Sequence, residues 1–104
     1  MAGLVVLHVS DRPANITRAL SAAELITSRE PMRVQVVVNG EAIIGLSGSE
    51  PIDVGAGVSI WACERALRQH DLALDGLRPG VGTVPSAVIA LANAQHEGAA
   101  YIRI

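Results

Sequence analysis

A chain of 104 residues, half of them hydrophobic and with a net charge of −2, has room for a single domain (1–104) with a full core. All eight basic residues are arginine, which excludes Schiff-base chemistry, a lysine-anchored cofactor and a P-loop. The weak negative charge and the scarcity of aromatic residues argue against nucleic-acid binding, and one cysteine excludes an internal disulfide or a four-thiolate metal site.

In chain order, GLVVLHV (3–9) is an almost unbroken β-branched and leucine run, expected of a strand covered on both faces. It is too short to cross a membrane and lacks the basic flank of a signal peptide. The turn-like HVSDRPANI follows, with Ser10 or Asp11 as the expected cap of the next element. ANITRALSAAELITS (14–28) places Ile16, Leu20 and Ala23 at helical spacing, with Arg18 and Glu24 toward water. Glu30 before Pro31 ends that helix, because the residue before proline disfavours the α region.

Met32–Val38 is a second buried run, closed by Asn39 and Gly40, and a short apolar piece, Ala42–Leu46, follows. SGSEPIDVGAG (47–57) has loop composition. Val58–Ala62 is the third strand and Glu64–His70 a short helix. DLALDGLRPGVG (71–82) connects to a fourth strand, Val81–Val84, with Pro79 and Gly80 as breakers. Pro85 is expected in the first turn of a helix over Ser86–Glu97, stopped by Gly98, and Ala99–Ile104 closes the chain as a fifth strand. Strand and helix alternate with short turns, a flavodoxin-like alternation. It predicts an α/β fold with a mainly parallel sheet, helices on both faces and right-handed crossovers.

Cys63 follows the third strand and opens a helix, on the edge where α/β domains keep their sites. Backbone N–H groups and the helix dipole favour an anion there, and Arg65 adds to this while Glu64 opposes it. The competing expectation is a buried thiol acting as a small hydrophobe. Without a second cysteine the chain cannot be a self-contained dithiol reductase. His8 reaches the same edge as base or hydrogen-bond partner; a core-flanking histidine bonded to backbone is the expected arrangement. Asn39 and Gly40 can line an anion pocket but first of all make a good turn. Pro85 and Ser86 follow the fourth strand, and local capping is the expected role of the Ser86 hydroxyl. His8, His70 and His96 have no metal-ligand spacing, so no metal is expected, nor any cofactor. HVSDRPA carries no glycine, which argues against a nucleotide phosphate loop, and the absence of lysine argues against a phosphoacceptor receiver domain.

Four pieces, taken together, resemble the DsrE/DsrF-like family, which includes YchN-like members. VGTVPSAVIALANAQHEGAAYIRI (81–104) is similar to its closing motif, VVVNGEAI (36–43) to its second strand and turn, VVLHVSD (5–11) to its first strand, and IWACERAL (60–67) to its strand–Cys–helix step. The resemblance implies a three-layer α/β/α domain with a five-stranded, mainly parallel sheet, of a family that assembles into homo- or hetero-oligomers, often trimers and hexamers; a homo-oligomer, trimer or hexamer, is expected for this chain. It implies a cytoplasmic sulfur-relay protein whose Cys63 carries sulfane sulfur as a persulfide between donor and acceptor proteins, without independent enzymatic turnover. His8, Asn39, Gly40, Arg65, Pro85 and Ser86 are its candidate supporting residues. No nucleic acid or membrane is expected as a partner. The chain departs from the family between its second and third strands, where 44–57 is too short and Gly/Ser/Pro-rich for the usual helix. The alternative is a non-catalytic oligomeric scaffold or interaction module with Cys63 buried.

Overall fold

Val5, Val6, Leu7 and Val9 are all buried, so the strand they form, β1 (Leu4–Val9), is covered on both faces. The computed structural model describes residues 3–104. After β1 come α1 (Asn15–Arg29), β2 (Arg33–Val38), a 3₁₀ helix (Gly40–Leu46), β3 (Val58–Cys63) and α2 (Glu64–Gln69). A single 3₁₀ turn (Leu74–Gly76), β4 (Val81–Val84), α3 (Ala87–His96) and β5 (Ala100–Arg103) complete the chain. The sheet has the order β4-β3-β2-β1-β5, and every neighbouring pair is parallel. The expected α/β/α fold is present, with a sheet that is wholly rather than mainly parallel.

Register divides the strand residues between two faces. Leu7, Val36, Ile60 and Val81 align across four strands, with Val5, Val34 and Val58 in the parallel row. This is the face on which α1 packs through Ile16, Ala19 and Ala23. The 3₁₀ helix touches both α1 and α2, so all three share that side. From β1 to β4 the chain steps across the sheet in one direction. It then returns past three strands to β5, and a right-handed return places α3 on the opposite face. There α3 meets β1, β2 and β5.

The core contains no phenylalanine. Leu7, Ile43, Leu46, Ile60 and Leu67 are its largest fully buried side chains, each worth about 1.5–3 kcal/mol relative to exposure. Ala19, Ala23, Ala42, Ala62, Ala66 and Ala87 are buried as well, and their small volume lets helices approach the sheet closely. The piece Ala42–Leu46 belongs to the 3₁₀ helix, where Ala42, Ile43 and Leu46 bury together. It is the one helical element between β2 and β3, in line with the expectation that no α-helix fits there.

Three local expectations are corrected. Neither Ser10 nor Asp11 caps α1, whose N-cap is Ala14 without a side-chain bond. Arg103 holds both instead, its Nη2 2.9 Å from Ser10 Oγ and 3.0 Å from Asp11 Oδ1, tying the end of β5 to the end of β1. Pro85 lies outside α3, because Ser86 is the N-cap and Ala87 the first helical residue. β3 extends through Cys63, so the thiol sits on the last strand residue rather than beyond it. Among the described residues, no helix is long and apolar enough to cross a membrane.

Candidate functional site

β3 and β4 are neighbours, yet the chain leaves them toward opposite faces. α2 departs to the α1 side and α3 to the other. Such a divergence opens a crevice beyond the carboxyl ends of the two strands, the place where open parallel sheets bind ligands. Cys63 and Val84 are the aligned last pair at that point. A cleft of about 210 Å³ occupies it. Asn39 and Gly40 line it from the end of β2, Cys63 with Arg65, Ala66 and Gln69 from β3 and α2, and Ser86, Ala87 and Val88 from the start of α3.

The Cys63 side chain is buried, at 4% exposure. Its Sγ accepts a hydrogen bond from the backbone N–H of Ala87 at 3.4 Å. Ala87 is the first residue of α3, so its N–H has no partner within that helix, and the positive end of the ten-residue helix dipole faces the sulfur. The expected helix partner is therefore corrected. Cys63 is the N-cap of α2 but makes no side-chain cap bond there. The helix that meets the thiol is α3, delivered from β4. Among the described residues the cleft lining includes Arg65 and no carboxylate.

His8 departs from expectation in a second way. Its ring bonds side chains rather than backbone, with Nδ1 2.7 Å from Tyr101 Oη and Nε2 2.8 Å from Asn39 Oδ1. With an amide oxygen facing Nε2, the neutral ring places its proton on that nitrogen, which leaves Nδ1 as the acceptor for the tyrosine hydroxyl. The Tyr101 and His8 rings lie tilted at 54° with centroids 5.8 Å apart. His8 does not line the cleft; it reaches the cleft through Asn39.

Asn39 and Gly40 both line the cleft, and the expected turn is the entry to the 3₁₀ helix, with Asn39 as its N-cap and Gly40 as its first residue. Gly40 has φ +58°, and a Cβ there would stand 2.5 Å from the Ser10 carbonyl oxygen, so only glycine lets the β2 turn close against the end of β1. Ser86 is the α3 N-cap by backbone conformation, but its hydroxyl makes no cap bond; the residue lines the cleft. Arg65 is exposed on the rim. Pro85 is exposed and does not line the cleft. Residue patterns could not reveal the Ala87 N–H, which every residue type but proline carries. Tyr101 is the single tyrosine of the chain, but its link to His8 requires β5 to lie beside β1.

The fold and cleft define a class: a small, all-parallel α/β/α domain with one thiol at its topological switch point. No family model matches the chain, and no curated protein matches it. Among solved structures it is similar to MTH1491 of Methanobacterium thermoautotrophicum, described as a protein of unknown function. That likeness has a TM-score of 0.80 and 29% sequence identity, over 98% of this chain and 99% of that one. The two thus share one fold from end to end.

Proposed function

We propose that this chain is a cytoplasmic sulfur carrier of the DsrE/DsrF-like kind, which holds sulfane sulfur as a persulfide on Cys63. The observation that carries this proposal is the Ala87 N–H donated to Sγ at 3.4 Å. It acts within a cleft that offers an anion donors and no carboxylate among the described residues. In loading, the Cys63 thiolate attacks the outer sulfur of a donor persulfide, R–S–SH. The new S–S bond forms as the donor's S–S bond breaks, and the donor departs as R–S⁻. The proton stays on the transferred sulfur until the persulfide ionises. In unloading, an acceptor thiolate attacks that outer sulfur and Cys63 leaves as thiolate. The chain returns to its starting state with no net gain or loss of electrons. One cysteine suffices because donor and acceptor supply the other thiols.

Self-association is part of the same proposal. α3 is apolar on nearly every side, and Val88 and Ile89 stand 70% and 62% exposed on its outer face. A helix of that composition ordinarily has cover on both sides.

Intact-mass measurement after incubation with a low-molecular-weight persulfide tests the carrier. A gain of one sulfur atom that disappears in Cys63→Ser supports it. No gain, or a gain that survives the substitution, refutes it. A second function, an oligomeric scaffold with a structural cysteine, is favoured by the 4% exposure of Cys63. A thiol inert to alkylation until the protein unfolds decides for the scaffold.

A further inference from the structure

Tyr101, His8, Asn39 and Cys63 belong to four neighbouring strands, β5, β1, the end of β2, and β3. Register puts them on one face of the sheet. Tyr101 aligns with Val6, two residues before His8. Asn39 follows Val38, which aligns with Ala62, the residue before Cys63. The four residues therefore run diagonally across the face that α3 covers, from the 40% exposed Tyr101 to the buried thiol. Two hydrogen bonds of 2.7 and 2.8 Å link the first three.

An asparagine carboxamide has two different arms, and what binds one fixes the direction of the other. In Asn39 the oxygen is committed to His8 Nε2, while Nδ2 has no hydrogen-bond partner among the described residues. Asn39 is also a wall of the cleft. We infer that His8 is the positioning residue of this cleft: held by Tyr101, it locks the Asn39 carboxamide so that its N–H₂ faces an anion on the Cys63 sulfur. The ligand thereby specified is an anionic sulfur species, met by Ala87 N–H on one side and Asn39 Nδ2–H on the other. This deepens the carrier proposal and rests on it.

The test compares Cys63 alkylation by iodoacetate, which is anionic, with alkylation by neutral iodoacetamide, in the full-length protein. The ratio of the two rate constants reads the cleft's preference for an anion. It does not depend on whether sulfur is ever carried. His8→Leu frees the Asn39 amide, and the ratio is expected to fall about 2- to 10-fold, the worth of one neutral hydrogen bond. His8→Gln restores the pattern, because glutamine N–H donates to Asn39 while its oxygen accepts from Tyr101; its ratio stays within about twofold of the parent. Nitrogen-15 NMR of the unsubstituted protein supplies a second readout, with the neutral His8 ring expected to carry its proton on Nε2. A proton on Nδ1, a ratio unmoved by His8→Leu, or equal losses in His8→Leu and His8→Gln each overturn the positioning role. A Cys63 that takes up no sulfur while this alkylation pattern holds defeats the carrier proposal alone. A thiol that reacts with neither reagent in the folded protein overturns both.

Discussion

Gly40→Ala probes the turn that brings β2 to the cleft, and Gly98→Ala supplies its control. Both glycines have positive φ, +58° and +97°, so alanine at either site costs about 1–2 kcal/mol of backbone strain. They differ in surroundings. A Cβ at Gly98 would meet nothing within 4 Å, whereas at Gly40 it would stand 2.5 Å from the Ser10 carbonyl oxygen. That oxygen cannot swing away, because it belongs to backbone at the end of β1 and accepts from Ala42 N at 3.4 Å. Separating the two segments adds an overpacking cost of about 1–3 kcal/mol. Gly40→Ala should therefore lose about 2–5 kcal/mol in total and Gly98→Ala about 1–2. Urea unfolding followed by the fluorescence of Trp61, the only tryptophan, measures both. The midpoint should fall with an unchanged slope, and further for Gly40→Ala. In thermal unfolding each kcal/mol corresponds to about 4–8 °C for a domain near this size. Equal losses at the two positions would refute the claim that close approach, and not φ alone, requires glycine at the cleft.

Gly82→Ala should be destabilising by about 1–3 kcal/mol, because the added Cβ would lie 2.6 and 2.8 Å from Trp61 ring carbons. The indole is further held by its Nε1–H donated to Ser59 Oγ at 2.9 Å. A changed near-ultraviolet circular dichroism signal accompanies the loss, and an unchanged stability would show that the ring moves freely. Charging the outer face of α3, as in Val88→Glu with Ile89→Glu, should convert the proposed assembly to monomers in sedimentation velocity. Both side chains are more than half exposed, so unfolding stability measured on the monomer should change by no more than about 1 kcal/mol. Assembly unaffected by the two charges would remove α3 from the interface.

Most of the architecture is legible in the residues themselves. β4 has its expected bounds, and α1 and α3 fall within a residue or two of theirs, because apolar period and breakers act locally. Glu30 before Pro31 stops α1, and the valine runs of β1 and β2 leave no polar face for water. The same signals bring Cys63 to the boundary between the third strand and the helix after it, one residue short of its observed place as the last residue of β3. Chain pattern also shows that no covering α-helix fits before β3, though not that Gly40–Leu46 winds into a 3₁₀ helix. That outcome depends on burying Ala42, Ile43 and Leu46 between α1, α2 and the sheet.

What tertiary structure alone decided is which groups meet at the thiol. Sequence neighbours point to α2, the helix that follows Cys63 directly, but the hydrogen bond comes from Ala87, 24 residues away. Pro85, beside Ser86 in sequence, stays outside the cleft because the chain turns at that point. His8 finds Tyr101 93 residues away and Asn39 31 residues away, a meeting that exists only because β5 pairs with β1. Local pattern encodes burial and backbone preference residue by residue. Strand order is set by how all the elements together cover both faces of the sheet, and in this protein strand order builds the cleft.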